Sequence, residues 1–551
     1  MYRMAGINQR RSLTAVLSIS LLISTGLASC SDTIPTDENT LQTSTVLSRA
    51  TTSKPLTLDP HQSVDHTTDE VLRDLFEGLI AEDRTGSLTP GVASQWSRSD
   101  DGMTYEFQLR TDARWSNGEP LTAEDFVNSF RRAVAPDTNS PMASVFFSME
   151  NAESISDGKA PLHALGVIAI DQHTLRIRLS QPSSYFLKTL TTTVAFPVFN
   201  AGKVGASNNN KPIIGNGPYK FQQQAEADRT SLIKNTHYWN HESVYFDRVD
   251  YVVVPDDEAA LAQYANGDID LTNHLSATDY PRLRRQFGDE LKVAPTFGIY
   301  TLAFDTTEPP FNDVRLRQAL SMAIDRDVLA TEVMADSSPG AWSFLPPGIN
   351  EGHNFTYSWR SLGRKEQREI ARALYREVGF SKQNPLKLKI TFAKSGNYGA
   401  ITSAVKQMLS RNLGVDVTLE SSSWAKLIAT RDKFDQWDLI RFGVGGIYED
   451  PNTFLEIMRS GANRNPAGWR DTTFDQLLDD ANRELDPLRR AERLHTAESH
   501  LMEAYPIIPL HFLVSIRLIN PRIEGFSISL MNRTYTKHLA AKAETGWPSN
   551  N

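Results

Sequence analysis

The feature that most constrains this chain is a regular succession of strand and helix patterns in its C-terminal half. Leu386, Leu388, Ile390 and Phe392 recur every second residue, the spacing of a strand with one buried face. Ile401, Ala404, Val405, Met408 and Leu409 then recur at helical spacing, and Gly414 stops that run. Residues 415–419 read as a second strand. Trp424, Leu427 and Ile428 mark one face of a short helix, and residues 437–442 read as a third strand. Strands separated by helices demand crossovers, so the pattern predicts a mainly parallel sheet with helices on its faces, an α/β fold. Ligands of such sheets sit beyond the carboxyl ends of the strands, which makes the loop after Phe442 a candidate site. Residues 249–254 predict another strand. Asp486-Pro487 predicts a helix start, with Leu488, Ala491, Leu494 and Leu501 as its buried stripe.

At 551 residues the chain exceeds one hydrophobic core and predicts two to four domains. Its 57 Lys+Arg against 66 Asp+Glu give a formal charge of −9, leaving no basic surplus to neutralise phosphates. Nucleic acid is therefore excluded as the main partner. A single cysteine, Cys30, rules out a disulfide framework and a Cys-rich metal site. Beyond the N-terminus no apolar run reaches the 18 residues of a membrane span.

The first 29 residues read as an export signal. Arg3, Arg10 and Arg11 supply the positive region, and residues 13–27 form a short apolar stretch diluted by Ser and Thr. Arg10-Arg11 also permits twin-arginine export. Leu27-Ala28-Ser29-Cys30 resembles the lipobox of bacterial lipoproteins, where cleavage before the cysteine precedes its acylation. Loss of the three arginines would bring the formal charge from −9 to −12. Residues 30–48 then read as a lipid-anchored tether, polar and poor in bulky apolar residues. The expected location is extracytoplasmic, in a periplasm or at a cell surface, and Ser31 permits sorting to an outer membrane.

Motifs spread in order over the remainder carry a family resemblance. They begin with Leu58-Asp59-Pro60-His61, the run Arg73-Asp74-Leu75-Phe76-Glu77-Gly78-Leu79, and Pro90-Gly91-Val92-Ala93 with Trp96. Next come Tyr105, Phe107, Leu109-Arg110 and the run Trp115-Ser116-Asn117-Gly118 with Pro120, Thr122-Ala123 and Asp125-Phe126. Later landmarks are Gly215-Asn216-Gly217-Pro218-Tyr219, Tyr238-Trp239, Gly267-Asp268-Ile269-Asp270, Pro310-Phe311-Asn312-Asp313 and Ala323-Ile324-Asp325-Arg326. The set resembles the family 5 extracellular solute-binding proteins of peptide ABC importers, most of all the oligopeptide-binding branch.

The resemblance implies a two-lobed, type II periplasmic-binding-protein fold with a domain inserted in the first lobe. Lobe I would comprise residues 49–80, 195–297 and 515–551, the inserted domain 81–194, and the second lobe 298–514, with two strands crossing between lobes. It implies a monomer that captures a peptide or peptide-like ligand and hands it to an ABC permease, with no catalytic residue, cofactor or metal. The motifs also have plain structural readings. Trp115-Ser116-Asn117-Gly118 reads as a tight turn beside a core tryptophan. Gly215–Tyr219 reads as a turn into a strand, and Asn312 or Asp313 as a helix cap.

In the family an extended peptide adds a strand to backbone from both lobes. The matching backbone is Asp65-His66-Thr67 on one side and Gly443-Val444-Gly445 on the other, followed by Gly446 and Ile447. Trp424 matches a pocket-lining position, with a core position as the alternative. Arg431 and Arg441 match arginines near the cleft. Arg441 suits a ligand carboxylate, or equally a pair with Glu449 or Asp450 that holds the loop. Relatives place at position 447 an aspartate that pairs with the peptide's free amine; here it is Ile447. Leaving a buried ammonium unpaired costs about 3–5 kcal/mol, a factor of hundreds in affinity. Two alternatives follow: a ligand without a free amine at that place, or a carboxylate moved elsewhere, such as Glu449 or Asp65.

Catalytic signatures are few. Ser403-x-x-Lys406 and Ser423-x-x-Lys426 have the spacing of penicillin-interacting enzymes, but the companion Lys-Thr-Gly is absent. His237 and His241 have the i, i+4 spacing of metal ligands without a third. Alternative functions are an envelope enzyme or permease-independent receptor acting on peptides or cell-wall fragments, and a binder of a non-peptide solute.

Overall fold

The computed structural model describes residues 45–201, 213–222, 228–276, 280–394, 398–431, 433–462 and 465–543. The export signal, Cys30 and most of the tether lie outside the described residues.

The alternation read from the C-terminal half becomes a five-stranded sheet. Lys387–Ala393 pairs in parallel with Asp416–Ser422 on one side and Leu439–Gly445 on the other. Helix Tyr398–Leu413 crosses between the first two, pressing Ile401, Val405, Met408 and Leu409 into the core. In the short helix Trp424–Arg431 only Leu427 is buried; Trp424 and Ile428 remain exposed. The parallel expectation holds for these three strands. Of the two strands that complete the sheet, Leu291–Phe304 runs antiparallel to both its neighbours, and Ile507–Leu518 beyond it runs in the direction of the first three.

Those two strands hold the molecule together. They pair with each other over most of their length, yet their ends belong to different cores. Leu291, Val514, Ile516 and Leu518 pack with Ala50, Val252, Val254 and Leu283, whereas Ile299, Leu302, Phe304, Ile508 and Leu510 pack into the core of the five-stranded sheet. The register breaks between Pro295 and Ile299, where one core gives way to the other. Beside the first core stands a four-stranded sheet in which Val46–Thr51 lies parallel to Arg248–Val253, followed by Arg229–Lys234 and Tyr219–Phe221.

A third sheet, ordered Ala93–Arg98, Thr104–Leu109, Thr174–Arg178, Val167–Ala169, covers helix Ala123–Val134. Phe126, Val127 and Phe130 of that helix meet Tyr105, Phe107, Leu175 and Ile177 in one cluster. Asp125 accepts the Thr122 amide at 2.8 Å, so the Thr-x-x-Asp spacing fixes where the helix starts.

The motif residues act structurally. Trp115 is buried, and Gly118 closes its turn at φ +89°. A Cβ on Gly215 would stand 2.0 Å from the Leu75 carbonyl oxygen, and Asn216 clamps Glu77 through its amide (3.1 Å) and carbonyl (2.7 Å). Asp313 accepts the Arg315 amide at 2.9 Å as a helix cap. Asp486 caps Pro487–Glu503 by accepting the Arg489 amide. One expected stripe residue is corrected: Leu488 is 64% exposed. Arg490 is the inward residue of that first turn, drawn in by Asp450, whose two oxygens lie 2.7 and 2.9 Å from its guanidinium.

Candidate functional site

Strand Leu439–Gly445 has one edge occupied and one largely open. Its first edge pairs with Leu291–Phe304 throughout, Tyr300 opposite Gly443 and Gly298 opposite Gly445. Its second edge pairs with Lys387–Ala393 only at Leu439 and Ile440. From Arg441 to Gly445 no strand among the described residues covers that edge, so its amides and carbonyls are placed to receive an extended chain. Gly446 follows, and its amide donates to the Phe297 carbonyl at 2.9 Å. Glycine is required there, because a Cβ would fall 2.1 Å from the Phe297 ring, which packs tilted against Phe454 at 4.6 Å.

Gly446 and Ile447 form one wall of a cavity of about 290 Å³. Asp65, His66, Asp69 and Glu70 also line it, with Thr192, Thr193 and Arg533. The cavity thus joins the loop that follows the five-stranded sheet to the start of helix His66–Leu75. The Ile447 backbone is fixed from both ends: its amide donates to Thr453 Oγ1 (3.1 Å), and its carbonyl accepts from Arg533 Nη2 (3.1 Å). Nearby, Tyr185 stacks on Tyr448 at 5.5 Å, and Lys188 lies 3.9 Å from Asp450.

The Asp65-His66-Thr67 segment differs from the extended backbone the resemblance implied. Asp65 is extended (φ −138°, ψ 155°), but His66 and Thr67 open a helix. Asp65 caps it, accepting the Thr68 amide at 2.9 Å and the Thr68 hydroxyl at 2.6 Å. Asp65 and His66 line the cavity and Thr67 does not. Thr67 Oγ1 instead sits 3.4 Å from Thr51 Oγ1. What this side presents is therefore the first turn of a helix, whose amides lack intrahelical acceptors.

Arg441 lies at the other end of the open edge, with its guanidinium folded beside Gly443. It is buried and stands over Tyr398 (4.3 Å), Trp424 (5.0 Å) and Tyr300 (5.2 Å), donating to the Tyr398 hydroxyl at 2.9 Å. Trp424, 52% exposed, is thus no core residue. Of the two readings of Arg441, the loop pair is not formed: Asp450 is taken by Arg490, and Glu449 faces Gly86. Burial raises the Glu449 carboxyl above its ordinary value, and Glu449 does not line the cavity. Of the two carboxylates considered as replacements for position 447, Glu449 lies outside the cavity lining, whereas Asp65 lines it with its oxygens engaged by Thr68. Arg431 ends the Trp424 helix, half-buried.

No sequence motif marks Asp69, Thr193 or Arg533, which come together from distant segments. Of the residues considered for chemistry, Ser423, Lys426, His237 and His241 have structural partners. Ser423 Oγ receives the Lys426 amide at 3.3 Å, and Lys426 Nζ stands 4.0 Å from Glu420. His237 and His241 each set Nδ1 against a backbone carbonyl, of Ser116 and Tyr238. Among the described residues no helix is long and apolar enough to cross a membrane.

Comparison with known proteins agrees with this architecture. The family model of the bacterial extracellular solute-binding proteins, family 5 Middle, matches residues 87–466. The periplasmic murein peptide-binding protein MppA of Escherichia coli (strain K12) is 35% identical over 481 residues, covering 86% of this chain and 89% of MppA. The periplasmic oligopeptide-binding protein OppA of the same organism is 31% identical over 540 residues, 96% of this chain and 98% of OppA. The crystal structure of Haemophilus influenzae OppA in complex with RPPGFSPFR matches with a TM-score of 0.77 at 29% identity, over 90% of this chain and 99% of that one.

Proposed function

Because the chain belongs to the family 5 bacterial extracellular solute-binding proteins, we propose that it captures a peptide or peptide-like ligand between its two lobes outside the cytoplasm and delivers it to an ABC permease. The observation that carries this reading is the uncovered edge of residues 441–445, running from the Arg441 guanidinium to the cavity at Gly446 and Ile447. Backbone pairing along that edge binds any extended chain, and side-chain identity enters only secondarily. From Gly443, where the guanidinium lies, to Gly446 the strand rises about 10 Å, the length of roughly three extended residues. Arg441 then receives a ligand carboxylate by a bidentate pair, with Trp424 and Tyr398 shielding it from water. Binding without bond-making is the whole activity.

The lobes are read as residues 49–80, 195–297 and 515–551 for the first, with residues 81–194 inserted, and residues 298–514 for the second. The strand Val46–Thr51 extends the first lobe by three residues into the expected tether, and Phe297 and Val514 each pack in the core across the boundary drawn beside them. The register break between Pro295 and Ile299 serves as the hinge, and the ligand favours the closed arrangement because only there do both walls touch it. Lipid on Cys30 keeps the protein at the membrane beside its permease. Mass spectrometry of the soluble chain purified under native conditions tests the reading. A peptide or amino-acid-containing fragment bound one per chain and unchanged on storage is expected. A ligand progressively cleaved in the protein's presence would replace capture by catalysis.

A further inference from the structure

Of the carboxylates lining the cavity, Asp69 alone has neither an ion pair nor hydrogen bonds on both oxygens among the described residues, and from this we infer that Asp69 is the residue that holds the cationic group, an amine, of the bound ligand. The inference rests on the reading of the cavity as the ligand site.

The other lining groups are held by ion pairs or by hydrogen bonds to the protein, His66 lying 3.5 Å from Glu70. Asp65 gives both oxygens to Thr68. Glu70 lies 3.2 Å from both Arg49 and Arg517. Arg533 is paired with Glu82 at 2.6 Å. Arg73 donates to the Thr191 carbonyl at 2.8 Å and the Tyr535 hydroxyl at 3.1 Å, its ring neighbours being Phe196 and Tyr535. Asp69 is different. Its Oδ1 accepts from Ser63 Oγ at 2.6 Å and Thr193 Oγ1 at 2.9 Å, two neutral donors that fix the carboxylate without cancelling its charge. Its Oδ2 makes no hydrogen bond among the described residues, and no described lysine, arginine or histidine reaches it within ion-pair distance.

A half-buried carboxylate held rigid by hydroxyls on two separate segments is pre-organised, so a cation that meets it pays little to order the site. Gly446 and Ile447 contribute only backbone and an apolar side chain, and the guanidinium beside them, that of Arg533, is already paired with Glu82. The guanidinium of Arg441 and the carboxylate of Asp69 thereby set opposite signs toward the two ends of the open edge, which fixes the direction of a zwitterionic ligand.

Calorimetry with trialanine and N-acetyl-trialanine tests this. The native protein is expected to bind the free amine at least about 30-fold more tightly, as removal of one member of a buried charge pair requires. Asp69→Asn keeps an oxygen for Ser63 and Thr193 and is expected to bring the two peptides within threefold of each other. Adding Ile447→Asp to Asp69→Asn puts a carboxylate back on the opposite wall and is expected to restore the preference. Equal binding of both peptides by the native protein, or a preference that survives Asp69→Asn, would overturn the assignment while leaving peptide capture intact. Failure of the native protein to bind either peptide would overturn both.

Discussion

Glu70→Ala is expected to lower the unfolding free energy by about 3–5 kcal/mol, a large share of the 5–15 kcal/mol typical of a folded domain. The carboxylate lies between two buried guanidiniums, Arg49 on the first strand and Arg517 on the second crossing strand. Removing it leaves two buried cations facing each other with no anion between them. The loss falls where it matters most, because Arg517 belongs to the strand shared by both cores. Urea denaturation at pH 7 measures it as a fall in the midpoint with an unchanged slope. The same site gives a pH dependence whose sign is fixed. Burial alone would raise the Glu70 carboxyl, but Arg49 and Arg517 outweigh it and hold the group well below the usual carboxylate range. A depressed acid stabilises the fold above its unfolded value, near 4.3, and that stabilisation is lost as pH falls toward the folded value. The native protein should therefore lose stability on acidification below about pH 5 more steeply than Glu70→Gln.

Arg533→Met is expected to cost a similar 3–5 kcal/mol and to weaken ligand binding as well. Arg533 is buried against Glu82, and burial, which would raise that carboxyl, is outweighed by Arg533 and Arg73, so it stays ionised. The same guanidinium donates to the Ile447 carbonyl and to Thr191 Oγ1. It therefore ties the C-terminal segment to both walls of the cavity. Glu82→Gln combined with Arg533→Met removes both charges, and the double variant should be more stable than the sum of the single losses allows. Its stability would recover while its affinity stays low, because the anchor on Ile447 is still missing. Recovery of affinity together with stability would show that Arg533 acts on the fold alone.

Legibility of the sequence followed periodicity. The patterns of helix Tyr398–Leu413 and strand Asp416–Ser422 were readable because each has a wet face, whereas strand Leu439–Gly445, buried over its first four residues, was read from its apolar run alone. The crossing strands were not readable that way: Ile507–Leu518 is buried along almost its whole length, so no period-two signal survives, and its buried Arg517 reads as a surface residue until Glu70 is seen beside it. At the site, Ile447 and Arg441 were identified from the loop's resemblance to relatives, yet the aromatic surroundings of Arg441 come from Tyr300 and Tyr398, far away in the chain. Asp69 was invisible for the same reason, since Thr193 lies 124 residues from it. The helical start at His66 was legible: aspartate at position 65 with Asp69 in the first turn is an N-cap pattern, and the resemblance to an extended segment obscured it.

The most direct test follows the radius of gyration by small-angle X-ray scattering while trialanine is added to the soluble chain. Capture between two lobes requires a contraction that saturates at one peptide per chain. A radius that does not change up to saturating peptide would contradict closure on the cavity at Gly446 and Ile447, and with it the mechanism.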